Sequence, residues 1–349
     1  MAEAGAERSD RGGRRGKRRV LTWALGAGSA VAGGLWVLGP RSYTIDVLVS
    51  YQVWLVAGCV LAAGLCALLR RWGAGAVCAL AAIAGGWPLI AGRSVWVPPV
   101  DLGTPPGPGV VRVVSFNAGP ESTAWEADLG RVLGWHADAV VLIEVPVELN
   151  RGVRRRGLLD GSGWGWAHRA WVDGVTSPCF VLSRWPMERV GVPGVGHAER
   201  DILTVRLETG AGPVLVGLAH PHSPRTRERW AMGNETAART LPGMAGAAAS
   251  MGLPLAVGAD LNAGPAGSRA GSARAAGLSM SKPLAGGWWG SYPSGWAGPA
   301  RVQLDDVWVS SGFEVVAWSS VASEGSDHRI IVADLRPVSG DGPAGQPGR

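Results

Sequence analysis

The sequence predicts an α+β sandwich preceded by an N-terminal helical membrane region. Three observations lead there. Long apolar runs without a charge fill most of residues 20–91. Beyond residue 110, short β-branched runs far outnumber helical ones. Where those runs end, acidic, amide and imidazole side chains recur, as they do when a sheet aims polar groups at one rim.

The chain begins with a basic tail, residues 1–19, in which Arg8, Arg11, Arg14, Arg15, Lys17, Arg18 and Arg19 face Glu3, Glu7 and Asp10. Apolar runs follow at about 20–38, 47–69 and 74–91. Each approaches the roughly 20 residues that cross a hydrocarbon core of about 30 Å. Lipid offers the backbone no hydrogen-bond partner, so three transmembrane helices are expected over 20–93. The third run is the shortest and the richest in Gly and Ala. More apolar chain follows the first run, which argues against a cleaved signal peptide. The basic tail should stay in the cytoplasm, as should Arg70 and Arg71 between the second and third runs. Three crossings then put everything beyond Arg93 outside, making this a multi-pass protein of the cell membrane with an extracellular domain. Residues 94–109 read as a semi-rigid linker, since 96–108 contain five prolines.

Charge and cysteine content exclude several classes. The 349 residues carry a net charge of +6. Residues 94–349 nevertheless hold 22 basic and 23 acidic side chains, so the excess belongs to the N-terminal part. A nucleic-acid surface usually carries its own positive footprint, and nucleic acid is therefore the less favoured partner. Cys59, Cys66 and Cys78 lie in apolar runs, and Cys179 stands alone in the rest. No intradomain disulfide can form there, and no CxxC or zinc spacing occurs.

Residues 110–336 form the globular part. Strands are expected at 110–115, 139–143, 180–182, 202–207, 214–218, 255–257, 307–309 and 328–335. Helices are expected at 124–136 and 226–249, the second frayed or broken at Pro242-Gly243. The Arg-rich stretch 151–157 reads as a solvated face. Residues 337–349 turn to Gly, Pro and Ser and read as a disordered tail.

Polar residues mark the strand limits in order: Asn117, Glu144, His220 and His222, Asp260 with Asn262, Asp305 and Asp306, then Asp327 with His328. A carboxylate such as Glu144 at the end of a buried strand is costly unless it has a partner or a task. This series resembles the endonuclease/exonuclease/phosphatase superfamily of DNase I-like proteins over about residues 110–336. The resemblance implies a four-layer αββα sandwich and metal-dependent hydrolysis of phosphoesters. It implies Asn117, Glu144 and Asp327 as metal residues, and His220, Asp260, Asn262, Asp305 and His328 as catalytic ones. His328 is cast as the general base that activates water, and Asp260 as the group that orients or deprotonates it. Asn262 would bind a phosphoryl oxygen, and His220 would donate to the developing charge. Asp305 would orient a histidine, His220 being preferred. Mg²⁺, or Mn²⁺, is the implied cofactor, since a hard cation prefers oxygen ligands. Two registers stay open: His220 against His222, and Asp305 against Asp306.

The stretch 286–299 concentrates Trp288, Trp289, Tyr292 and Trp296. It reads equally as a local aromatic core or as a surface that stacks on a ligand, with Trp289 and Tyr292 as substrate contacts. Arg184, just past the strand 180–182, is a further candidate to meet phosphate. The membrane-anchored layout also resembles actinobacterial VanJ-type proteins linked to teicoplanin-class glycopeptide resistance. That likeness implies a lipid-linked phosphate of the cell envelope as substrate. The alternatives are a membrane-anchored extracellular nuclease and a non-catalytic binding protein on the same fold. No oligomeric state follows from the sequence.

Overall fold

The computed structural model describes residues 20–31, 33–35, 42–147, 168–172, 177–193, 202–285 and 290–338. The basic tail 1–19, the Arg-rich stretch 151–157, Trp288, Trp289 and residues 339–349 lie outside the described residues.

The chain divides into two units, Met1–Ile90 and Ala91–Arg349. The first is helical. Residues 20–31 form a helix, followed by α1 (Tyr43–Leu48), α2 (Gln52–Leu68) and α3 (Trp72–Ile90). Among the described residues, two helical stretches are long and apolar enough to cross a membrane, Tyr43–Leu68 and Trp72–Ile90. Their outward faces remain apolar: Leu61 is 74% exposed and Leu80 66%. Gln52, buried, donates its side-chain amide to the carbonyl of Gly85, which ties α2 to α3.

The second unit is built on two six-stranded sheets. One sheet has β1 (Val111–Asn117), β2 (Ala139–Ile143), β3 (His168–Val172), β4 (Cys179–Ser183), β11 (Phe313–Val321) and β12 (Ile330–Pro337), in the order β11-β12-β1-β2-β4-β3. The other has β5 (Met187–Arg189), β6 (Ile202–Thr209), β7 (Gly212–Ala219), β8 (Leu255–Asp260), β9 (Ser279–Met280) and β10 (Asp305–Val309), in the order β5-β6-β7-β8-β10-β9. Each sheet has one parallel pair at its centre, β1 with β2 and β7 with β8, and the remaining pairs are antiparallel.

The central strands are buried on both faces and so read as continuous apolar runs. Val113, Val141, Val216 and Val307 fill the space between the sheets. Val114, Phe116, Val140 and Leu142 face outwards onto Trp125, Leu129, Val132 and Leu133 of α4 (Trp125–Gly134). Leu215, Leu255 and Val257 face the opposite way, onto α5 (Arg227–Met251) and α6 (Ser268–Ala275). The result is the expected four-layer αββα sandwich. The sheets approach closely at Gly258, where a Cβ would lie 2.7 Å from that of Val141.

Two expectations are corrected. The helix expected to fray or break at Pro242 runs unbroken through it. Leu241, Met244, Ala247 and Ala248 on either side are buried, and that packing outweighs one missing backbone bond. The proline-rich linker is not a free spacer either. The carbonyls of Ser94 and Val95 accept from the N–H groups of Leu284 and Ala285, and that of Pro98 accepts from Trp318. Val97 and Val100 are buried in the cores on the two faces of the first sheet. Residues 94–100 therefore belong to the second unit. At the other end, the strand expected over 328–335 is β12, shifted to Ile330–Pro337.

Candidate active site

Topology gathers the polar residues on one rim. Asn117 ends β1, Glu144 follows β2, His220 follows β7 and Asp260 ends β8. These are the C-terminal ends of the two central parallel pairs. β10 runs antiparallel to β8 with Asp305 opposite Asp260, so its first residue lies at the same rim. β12 runs antiparallel to β1, with Ile331 opposite Ser115, so His328 enters there as well. Strand alternation decides which side chains turn inwards. Val307 and Val309 face the space between the sheets, and Asp305 shares their parity. Asp306 does not: its carboxylate accepts from Ser281 Oγ at 2.8 Å and from Trp318 Nε1 at 3.3 Å. Asp305 is thus the rim residue, and Asp306 is structural. His220 continues the parity of Val214, Val216 and Leu218 and lies beside Asp260, so it occupies the cluster.

Asp260 is the hub, 1% exposed. Its carboxylate accepts from Asn117 Nδ2 at 2.9 Å and from the N–H of Asn262 at 2.8 Å. The second bond forms an Asx-type turn, which suits Asn262 at φ 51°. Asn262 Nδ2 in turn donates to the Pro221 carbonyl at 3.2 Å, linking the two loops. His220 Nε2 lies 4.0 Å from Asp260 and 3.8 Å from Glu144. Glu144 itself sits at φ 50°, an unusual backbone for a non-glycine residue.

Asp305 pairs with His328, Nδ1 to Oδ2 at 2.8 Å, and not with His220 as expected. The cause is the antiparallel entry of β12, which brings His328, two residues before it, to Asp305. Asp260 also lies 3.8 Å from His328 Nδ1. Burial pulls the His328 imidazole down, but Asp305 and Asp260 outweigh it and push it up to about 10. Burial pushes Asp260 up, and the His328 and His220 rings outweigh that and hold it below the usual carboxylate range. Burial also pushes the Asp305 carboxyl up, against the pull of the His328 ring.

The other expected residues distribute unevenly. The Tyr292 ring lies 4.8 Å from that of His328, in the cluster. The Asp327 side chain is 61% exposed, with Oδ1 3.9 Å from His328 Nε2. Arg184 is not in the cluster. It follows β4, whose Ser183 pairs with Ala139 at the start of β2, so it lies at the opposite rim. There it donates to the Ala137 carbonyl at 2.9 Å and sits 3.7 Å from Asp138.

A model of the endonuclease/exonuclease/phosphatase family matches residues 114–328, which span this rim from β1 to His328. The chain belongs to that family. Members of the family are generally phosphoester hydrolases that use divalent metals. No curated protein matches the sequence. Among solved structures, the catalytic domain of human Nocturnin with bound sulfate is 15% identical and superposes with a TM-score of 0.51. That match covers 66% of this chain and 94% of that one, and it shows the shared fold. A family protein from Beutenbergia cavernae is 19% identical with a TM-score of 0.49, covering 65% of this chain and 72% of that one. Truncated Caenorhabditis elegans TDP2 is 15% identical with a TM-score of 0.46, covering 65% and 98%.

The donor set fits the family's divalent metal. Asp260, Asp305 and His328 offer ligand atoms within 4.8 Å of one another, all buried. Glu144 adds a carboxylate that is 22% exposed. Such oxygen-rich sets suit hard cations.

Several supporting residues escaped the sequence. Ser291 Oγ accepts from the N–H groups of Leu304 at 3.1 Å and Asp305 at 3.0 Å, fixing where β10 begins. Arg269, 1% exposed on α6, donates to the Leu261 carbonyl at 2.9 Å and to Asn234 of α5 at 3.0 Å. It braces the loop after Asp260 from behind. A single buried arginine in a Gly- and Ala-rich stretch carries no sequence signal of that role.

Proposed function

We propose that this chain is a metal-dependent phosphoester or pyrophosphate hydrolase. Its N-terminal helices would anchor it in the cell membrane, and its site would act outside the cytoplasm on a lipid-linked phosphate of the cell envelope. The observation that carries the hydrolytic reading is the convergence of Asn117, Glu144, His220, Asp260, Asn262, Asp305 and His328 on one rim. The outward apolar faces of Tyr43–Leu68 and Trp72–Ile90 support the anchor, since helices apolar all round belong in a core or a bilayer. The near balance of charge in residues 94–349 favours a lipid-linked substrate over nucleic acid. Tethering at the bilayer raises the effective concentration of such a substrate. Action on a cell-wall lipid intermediate is also the route by which the protein would contribute to glycopeptide resistance.

Glu144, with Asn117 and Asp327, would hold Mg²⁺ or Mn²⁺, which when bound supplies positive charge against the phosphoryl oxygens. The chain's own groups do the rest. Asp260, kept ionised by the two imidazoles, orients the attacking water and accepts its proton. His220 donates to charge developing on phosphate, and Asn262 binds a phosphoryl oxygen. His328 Nδ1 is committed to Asp305, which leaves Nε2 to face substrate. A proton held this tightly makes His328 a donor first. It serves as a base only once the neighbouring carboxylates have been neutralised.

The test offers the full-length protein polyprenyl pyrophosphate, lipid phosphates and supercoiled plasmid, with and without Mg²⁺, beside Glu144→Ala. Metal-dependent phosphate release from a lipid substrate, reduced by on the order of 10²-fold or more in the variant, is expected. Plasmid cleavage alone would make the protein a nuclease. Full activity in Glu144→Ala would sink the site assignment.

A further inference from the structure

His328 arrives on a loop, and a loop is held only by what its backbone groups find. Between β11 and β12 they find Asp128. This residue belongs to α4, on the outer face of the first sheet, and its side chain is fully buried. Oδ2 accepts from Ser323 Oγ at 2.6 Å, Gly325 N–H at 3.0 Å and Glu324 N–H at 3.1 Å, and Oδ1 accepts from Glu324 N–H at 3.0 Å. Arg131, three residues on, lies 3.4 Å from Oδ1 and donates to the Ala322 carbonyl at 3.3 Å. One helix therefore clamps residues 322–325.

The clamp continues towards the site. Ser323 Oγ accepts from the N–H of Ser326 at 2.8 Å. Ser326 Oγ accepts from the N–H of His328 at 3.0 Å and donates to the Asn117 carbonyl at 2.7 Å. Asp128 touches neither the His328 ring nor the Asn117 side chain, yet an unbroken run of hydrogen bonds joins it to the backbone of both. Hydrogen bonds to an ionised acceptor are the strong ones, so this end of the relay is its anchor.

We propose that Asp128 is a positioning residue for the hydrolytic reaction, setting the register of the 322–328 loop so that His328 Nδ1 meets Asp305. The inference rests on the reading of His328 as a catalytic group. It predicts more than a structural anchor would, because an anchor alone would change stability and leave turnover per folded molecule intact.

The test uses the full-length protein in phospholipid nanodiscs with Mg²⁺ and bis(4-nitrophenyl) phosphate as a chromogenic probe. Asp128→Asn keeps the shape but turns an amide towards backbone donors. Ser323→Ala cuts the relay and leaves the backbone bonds to Asp128. In Asp128→Asn, kcat per folded molecule should fall by about tenfold to a hundredfold with KM within about twofold, the scale of a small misplacement of a reacting group. Ser323→Ala should fall in the same sense by less, and the double variant should be no worse than Asp128→Asn, because both act through one path. Amide hydrogen exchange should quicken through His328 in Asp128→Asn, with β12 unchanged. Unchanged kcat in either variant, or additive losses in the double, would overturn the proposal. Should Asp128→Asn not fold, Ser323→Ala decides by the same split. If the wild-type protein leaves the probe intact, the hydrolase reading loses support and exchange decides the inference alone: quickening that stops at Gly325 overturns it.

Discussion

His328 sits among groups that want it charged, and this governs how the site responds to pH. Its imidazole is raised from the usual value of 6.5 to about 10 by Asp305 and Asp260, against the pull of burial. A group whose folded value is raised stabilises the fold in full below its unfolded value and loses that contribution as pH rises through the folded one. The window here runs from about pH 6.5 to about pH 10. In metal-free buffer the wild-type protein should melt above His328→Gln at pH 6.5, and the gap should shrink towards pH 10. A gap that stays constant over that window would contradict the charged pair. Asp305→Asn tests the pair from the other side. The amide cannot balance an imidazolium, so hydrolysis should fall by on the order of 10²-fold, with the pH–rate profile displaced towards lower pH. An unchanged profile would mean that Asp305 does not hold the ring. At this scale the sequence was largely legible. Asn117, Glu144, His220, Asp260, Asn262, Asp305 and His328 could be read because each ends or begins an apolar run. The pairing of Asp305 was not legible, since it depends on which strand enters above it. Nor was the misplacement of Arg184, because a residue following a strand reveals its rim only once the direction of that strand in the sheet is known.

At the scale of elements, sequence patterning found the central strands and missed the edges. β1, β2, β7 and β8 are buried on both faces and announce themselves as apolar runs. β3, β5 and β9 are short edge or near-edge strands, and β11 mixes exposed and buried positions, so none of them stands out from loop. The segment 94–100 is the element most hidden by composition. Its prolines suggest a tether, yet Val97 and Val100 are buried and three backbone carbonyls accept from β11 and from the chain after β9. Burying a valine fully contributes roughly 1.5 kcal/mol or more. A chain starting at residue 105 should therefore be less stable than one starting at residue 91 by at least about 3 kcal/mol, from two such side chains. Urea unfolding of the two, compared at equal m-value, measures it. Equal midpoints would return the segment to the role of spacer.

At the scale of the whole molecule, the proposed anchor makes the number of spans decide which side of a membrane the domain would occupy. Tyr43–Leu68 and Trp72–Ile90 are long and apolar enough for two crossings. The apolar run 20–38 decides whether there is a third. A basic tail is held on the cytoplasmic side by its Lys and Arg residues. With that tail fixed, two crossings return the following chain to the cytoplasm, and three carry it out. The short loop with Arg70 and Arg71 is consistent with a cytoplasmic position only in the three-span arrangement, because in the two-span one it would face outwards. Under the proposed anchoring, charge would favour three spans and an external domain. All four native cysteines are buried, so a new thiol can report alone. Met251, 46% exposed at the end of α5, provides the position. In intact cells, Met251→Cys should react with a membrane-impermeant maleimide as fully as it does after lysis. Labelling only after lysis would place the domain in the cytoplasm, and a substrate on the outer leaflet would then be beyond its reach, whatever the chemistry of the rim.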